Sequence, residues 1–385
     1  MDKKIGCLGP IGTFCELAVE KYFQQENYIL EPYSSIQKVF ASVHSGEVDL
    51  GVVPMENSCE GTVNQTLDLL AYGYPCGLEE ETCQYDIKII GEIILPIKHS
   101  LLARPGVRLE EVNSIISHSQ AIAQCRHYLG EALPHAKLVE VSSTAEAVRH
   151  VSQSAEPWAA IAMANTAKKY GLAVLAEEIN DYTNNETRFI IISKKEQECF
   201  IDCKTSILVN ILDQPGALYQ ALKEFSLRGI NLTKIESRPA KTRIGQYLFF
   251  IDLDGHYLEP RIKEALDEIH SISNPVKILG SYRASMNNTG RKSEFTPSLD
   301  YLRGEVDIID EQIIEMLARR TKLVEQIGSY KSSAANVHDP KREEWILGRL
   351  SALAEEKGFS PTVTVKIYKT LFEHFVALQK KQGQA

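Results

Sequence analysis

The chain has 385 residues, 44% of them hydrophobic and 24% charged, with 42 Lys and Arg against 51 Asp and Glu for a formal net charge of −9. That length allows about two to four domains, and the acidic balance argues against binding nucleic acid through surplus cations, so any anion site must be a local cluster. No apolar run approaches the roughly 18 residues of a membrane span, the first residues lead into a strand-like segment without a secretory signal, and the cytoplasm is the expected location. The eight Cys include no Cys-x-x-Cys pair and no neighbouring His for zinc, so all read as reduced thiols and no metal is expected.

From the start, strand-like and helix-like segments alternate: 5–8, a helix over 13–22, 28–31, a helix over 36–45, then 50–53. This predicts an α/β unit with a mainly parallel sheet. The turn Gly9-Pro10-Ile11-Gly12-Thr13 joins strand to helix, with Thr13 as a helix cap beside amides that could hold an anion. Its spacing does not fit a dinucleotide fingerprint. Polar loops recur at strand ends: 53–64, which contains Glu56, Asn57 and Ser58; 117–125, which contains Ser117 and Gln124; 142–144; and 184–189, which contains Thr187 and Arg188. Together with the first turn they predict a cleft between two lobes, rich in hydroxyls and amides.

Four of these segments resemble the motifs of the prephenate dehydratase family, in the family's order: Gly9-Pro10-Ile11-Gly12-Thr13-Phe14, Glu56-Asn57-Ser58-Cys59-Glu60-Gly61, His118-Ser119-Gln120 with Gln124-Cys125, and Thr187-Arg188-Phe189. Cys15 and Met55 stand where Ser and Ile are common. The resemblance implies a two-lobed α/β fold like that of solute-binding proteins over about residues 1–198, acting on prephenate without a cofactor. It implies Thr187 as proton donor, with Glu56, Asn57, Ser58, Ser117 and Gln124 orienting the substrate and Arg188 holding a carboxylate.

After a polar joint at 193–203, strand-like 205–212, a helix to 227, strand-like 230–237 and 246–253, a helix over 259–270 and a strand 276–279 spell βαββαβ. That is a ferredoxin-like α+β unit over 204–285. Gly216-Ala217-Leu218 with the run 231–239 resembles the amino-acid-sensing ACT domain. The resemblance implies phenylalanine as effector, bound around Gly216, Ala217, Leu218, Glu236, Ser237 and Arg238. A unit that only dimerises is the alternative.

Met286 to Ser293 is polar and reads as a linker. Beyond it lie three predicted helices, 296–332, 340–357 and 361–381, an all-α unit over 294–385. Leu302, Val306, Ile309, Ile313, Met316, Leu323, Ile327 and Tyr330 recur in steps of four and three, except that Arg320 interrupts the seam. A cation there must reach water or find an anion, and Lys331, eleven residues on, shares its face. The first helix, roughly 50 Å long, outruns its neighbours, so a second copy paired along it is expected.

This segment resembles the all-helical chorismate mutase family, through Arg303, Arg320, Lys331, Asp339, Arg342, Glu343 and Gln379. The resemblance implies Arg303, Arg320 and Arg342 on the carboxylates of chorismate, Lys331 and Gln379 on its ether oxygen, Glu343 on its hydroxyl, and Asp339 among the binding residues. It also implies that Arg303 serves the partner's site in a homodimer or homotetramer. Phe375 stands where a small hydroxyl residue is common and His338 where Arg is common, and the mutase follows the dehydratase instead of preceding it. The expectation is a bifunctional enzyme that converts chorismate to prephenate and prephenate to phenylpyruvate under phenylalanine control. Its rivals are a dehydratase whose helical tail only dimerises or regulates, and a non-catalytic amino-acid-binding regulator.

Overall fold

The computed structural model describes residues 2–24, 26–75, 82–83, 86–197, 202–211, 213–241, 246–273, 276–285, 299–329 and 340–382. The proposed linker around 286–293 and the residues His338, Lys331 and Asp339 lie outside them. Two compact units emerge, residues 1–292 and 293–385.

The first unit holds three main sheets. One runs in the order Tyr28–Tyr33, Lys3–Leu8, Leu50–Asn57, Glu186–Ser193, Lys88–Pro96. A second runs Lys137–Glu140, Ser114–Ser117, Trp158–Ala162, Ser100–Ala103, Ala173–Ala176. Both are mixed, which corrects the mainly parallel expectation. The parallel pairs come from the strand–helix–strand repeats, whereas Glu186–Ser193 enters antiparallel to both of its neighbours. It arrives from the other lobe, so its direction follows from the crossing and not from a local repeat.

Two segments carry the chain between the lobes, side by side. Ile97 N–H donates to Asn185 O at 2.7 Å, His99 N–H to Asn180 Oδ1 at 2.6 Å, and Ile179 N–H to His99 O at 2.9 Å.

The third sheet runs Leu232–Pro239, Tyr247–Asp254, Cys203–Ile211, Lys277–Arg283, with helices Ala217–Leu227 and Pro260–Ile272. Strand alternation splits its side chains into two sets. Ile207, Val209, Ile251 and Leu253 pack under the two helices. Leu208, Phe250, Leu279 and Tyr282 join Val39, Phe40, Val53, Met55, Ile190 and Ile192 of the first lobe in one core. The ferredoxin-like part is therefore built onto that lobe. Close approach is enforced at Gly280, φ +155°, where an added Cβ would lie 2.0 Å from the Ile89 carbonyl oxygen. Cys203 is disulfide-bonded, which corrects the reading of all eight Cys as thiols. Its partner is not among the side chains described.

The second unit is helical: Leu299–Ser329, Pro340–Glu356 and Pro361–Gln382. Along the first helix Val306, Ile313, Met316, Leu323 and Ile327 are 50–57% exposed. An apolar stripe of that length left open within one chain is what a partner helix would cover. No helix among the described residues is long and apolar enough to cross a membrane.

Candidate active sites

The strand Glu186–Ser193 sorts the first site. Its odd row, Phe189 and Ile191, packs with Val19 and Cys15 of the helix Phe14–Tyr22. Its even row, Ile190 and Ile192, packs with the third sheet. Thr187 heads the first row and Arg188 the second, so these neighbours face opposite sides.

Thr187 lies opposite Asn57 and Arg188 opposite Glu56 in the ladder. Pairing shifts register next to this point, where Phe189 meets Pro54 and Met55 is the extra residue. Pro54 cannot donate to the ladder, and a bulge is where a strand tolerates that.

The Asn57 side chain donates from Nδ2 to Thr187 Oγ1 at 2.9 Å and to Asn185 Oδ1 at 2.7 Å. Its Oδ1 accepts from the amides of Cys59 and Glu60 at 2.9 and 3.0 Å, which fixes the carboxamide by a local turn. Because Thr187 Oγ accepts from Asn57, its own proton stays available to donate elsewhere. Gln124 approaches from the second lobe. Its Oε1 accepts from Asn185 Nδ2 at 2.8 Å and lies 3.1 Å from His99 Nε2, while its Nε2 points to Glu60 Oε1 at 3.4 Å. Asn57, Asn185, Thr187 and Gln124 thus come together where the two sheets meet. Asn185 and His99 went unnoticed in the sequence; Asn185 sits inside the 184–189 loop, whereas nothing local marks His99.

His99 is 3% exposed, and burial lowers its pKa to about 4 even though the bond to Gln124 favours the charged form. It is neutral at pH 7 and donates through Nε2.

Other expected residues are placed differently. Ser117 is fully buried and donates to Ile161 O at 2.7 Å. Ser58 donates to Asn184 O and accepts from the Glu186 amide, each at 2.9 Å, and so ties two loops together. Thr13 does not cap with its hydroxyl, which donates to Leu8 O at 3.2 Å. The Gly12 amide is taken by Glu16 Oε2 at 2.5 Å, so an anion already belonging to the chain sits on that turn.

Arg188 is the largest departure. The residue is 5% exposed, with Nη1 2.6 Å from Asp252 Oδ2 and 3.0 Å from Glu56 Oε1, Nε 2.6 Å from Glu92 Oε2, and Nη2 2.7 Å from Tyr282 Oη. It is not open to a substrate carboxylate here, because three carboxylates surround it. Lys204 Nζ is 2.8 Å from Glu92 Oε1, and Lys234 Nζ binds Glu56 Oε2. The cluster holds three cations and three anions. Burial alone would raise the Glu56 and Asp252 carboxyls, but Arg188 and the lysines outweigh it and leave both below the usual range.

In the effector region Gly216 is left-handed, φ +84°, and opens the helix Ala217–Leu227, with Leu218 partly exposed. Glu236 and Ser237 lie on the edge strand Leu232–Pro239. Arg238 is held by Asn64 Oδ1 at 2.7 Å and Asp68 Oδ1 at 3.0 Å of the first lobe.

In the helical unit Arg320 lies against the third helix, its guanidinium carbon 4.4 Å from the Phe375 ring centre and 5.9 and 6.0 Å from those of Phe372 and Tyr368. Among the described residues its Nη1 is buried without a hydrogen-bond partner. Burial lowers its pKa, yet a guanidinium stays charged at pH 7. Arg342 stacks 4.3 Å from the Trp345 ring centre, and Glu343 follows it on the second helix. Arg303 is exposed on the first helix. The Gln379 side chain is not among those described. No group of three or more metal-ligating side chains occurs among the described residues.

Models of three families match the chain in order: prephenate dehydratase over residues 5–197, the ACT domain over 205–271, and chorismate mutase type II over 302–380. A bifunctional chorismate mutase/prephenate dehydratase of Aquifex aeolicus is 41% identical over 279 residues, 72% of this chain and 73% of that relative. A prephenate dehydratase of Methanocaldococcus jannaschii is 40% identical over 289 residues, 73% of this chain and 98% of the relative. The crystal structure of the Arthrobacter aurescens prephenate dehydratase in complex with L-Phe superposes with a TM-score of 0.65 at 36% identity, covering 80% of this chain and 99% of that one.

Proposed function

The chain belongs to the prephenate dehydratase family, and from that premise we propose how its residues divide the work of two consecutive reactions. It is a bifunctional enzyme of phenylalanine biosynthesis: the helical unit rearranges chorismate to prephenate, the two-lobed part turns prephenate into phenylpyruvate, and the ACT part brings feedback by phenylalanine.

In the dehydratase, Thr187 is the proton donor. The carboxylate on the ring leaves as carbon dioxide, its electron pair passes through the ring, the C4 hydroxyl departs with the Thr187 proton as water, and Thr187 Oγ regains a proton from solvent. Asn57 supports this by donating to Oγ at 2.9 Å, which polarises the hydroxyl and aims its proton away from Asn57. That contact is the observation that carries the assignment. Gln124, from the second lobe, and Asn185, beside Thr187, orient the substrate. Glu56 and Arg188 act on the other side of the strand, as supports for the same ladder.

In the mutase, Arg320 binds a carboxylate of chorismate. Its buried, unpartnered Nη1 is the supporting observation. Arg303, Arg342, Lys331, Glu343, Asp339 and Gln379 complete the site. The rearrangement needs a folded dianion and cations placed where charge develops, and no proton transfer. The exposed stripe along the first helix supports a homodimer, or a homotetramer built from it, in which Arg303 serves the partner's site. Small soluble substrates and the lack of a spanning helix among the described residues fit a cytoplasmic enzyme.

A solution assay following chorismate loss and phenylpyruvate formation, with and without phenylalanine, tests all of this. Absence of chorismate loss with dehydration intact would reduce the helical unit to a dimerisation tail.

A further inference from the structure

Glu56 and Arg188 form one rung of the ladder, and Asn57 and Thr187 form the next. The second rung carries the hydroxyl that the dehydratase reading depends on. The first is gripped from outside the lobe. Lys234, on the edge strand of the ACT part, binds Glu56 Oε2, with Thr62 Oγ1 3.5 Å from the same ammonium. Asp252, on the neighbouring ACT strand, takes Arg188 Nη1 at 2.6 Å. The ACT sheet therefore holds both ends of the rung next to Thr187.

Consecutive residues of a strand share a peptide plane, so fixing the side chains of one rung on one face fixes the backbone from which the next pair projects on the other. The grip is also short of alternatives. Lys234 is one-tenth exposed at its side chain and Arg188 less, so neither can exchange its partner for water without moving. Lys234 lies two residues before Glu236, on the strand expected to meet phenylalanine. Displacement of that strand would pull directly on Glu56.

Building on the assignment of Thr187, we propose that Lys234 is a positioning residue of the dehydratase: it belongs to the regulatory part, touches no reacting atom, and sets Thr187 through the Glu56–Arg188 rung. Release of this grip is the route by which a ligand on the ACT edge strand slows dehydration.

The test uses the full chain with Lys234→Met, Lys234→Arg and Thr187→Ala, each checked for a cooperative thermal transition. In Lys234→Met the dehydratase kcat falls about tenfold, the scale expected for a small misplacement, while KM for prephenate stays within about twofold. Lys234→Arg recovers most of the loss. Phenylalanine, still bound by calorimetry, changes the residual rate of Lys234→Met less than it changes that of the unaltered enzyme. Should Met unfold the chain, Lys234→Ala, which also removes the contact to Glu56, is read in the same way. A folded variant with unaltered kcat and full inhibition overturns the proposal, as does a loss that tracks melting temperature and is not recovered by Arg. Unaltered turnover in Thr187→Ala would instead remove the site assignment beneath it.

Discussion

Asn57 donates to Thr187 Oγ1 across 2.9 Å, between strands that are 130 residues apart in sequence. The hydroxyl accepts there and keeps its own proton free, which a solvated threonine does not do in a fixed direction.

Replacing Thr187 by Ala should lower dehydratase kcat by on the order of 100-fold or more, the usual range for a general acid. Prephenate affinity should change little, because no charge is lost. Stopped-time assays of phenylpyruvate, with mutase activity as an internal control, check both halves of that expectation.

His99 gives the dehydratase a pH signature. Its folded pKa of about 4 lies below the ordinary imidazole value of 6.5, so the unfolded chain takes up the proton first. Stability is then complete above about pH 6.5 and declines as pH falls toward 4, by up to ~3 kcal/mol from this group. The depressed Glu56 and Asp252 carboxyls add their own loss only lower, as pH falls through their folded values. Melting curves between about pH 7.5 and 4.5, which cover most of the window from ~6.5 down to about 4, should show the decline, and His99→Gln should flatten its upper part.

Gly280 should tolerate no side chain. An alanine there would place its Cβ 2.0 Å from the Ile89 carbonyl oxygen, and neither the Cβ, fixed on its Cα, nor the backbone oxygen can rotate away. Gly280→Ala is expected to cost about 3 kcal/mol and to loosen the ACT sheet from the first lobe. Limited proteolysis near the 193–203 joint and a loss of phenylalanine inhibition would report it.

Arg303→Ala and Arg320→Ala chains should each lose mutase activity and keep dehydratase activity. Mixed and allowed to exchange, half of the dimers are hybrids with one intact site of two, so about a quarter of the unaltered activity should return. No recovery, with exchange verified by mass, would place both arginines in the same protomer's site.

Much of this was legible in the chain itself. The helices of the second unit follow from their apolar period, and βαββαβ from alternating runs that are long and regular. The loops around Asn57, Gln124 and Thr187 stood out because polar residues at strand ends are local signals. What stayed hidden depends on distant partners. Arg188 reads as a substrate ligand beside Thr187, yet Glu92 and Asp252, 96 residues before and 64 after it, claim it through a packing of sheets that no window of sequence contains. His99 carries no motif, and the antiparallel entry of Glu186–Ser193 is settled by how the chain returns from the second lobe.

The extra residue at Met55 has a further consequence. Were the ladder regular beyond the Pro54–Phe189 pair, Met55 would stand opposite Arg188 and Glu56 opposite Thr187. A carboxylate would then occupy the place of the carboxamide, competing for the Thr187 proton that the proposed dehydration uses. Re-pairing without the bulge, with Met55 kept, would exchange the two sides at a stroke, although every side chain concerned would still be present. This strand should therefore accept substitutions more readily than changes of register, and engineering that grafts the ACT part onto a related dehydratase has to match this register before it matches any charge.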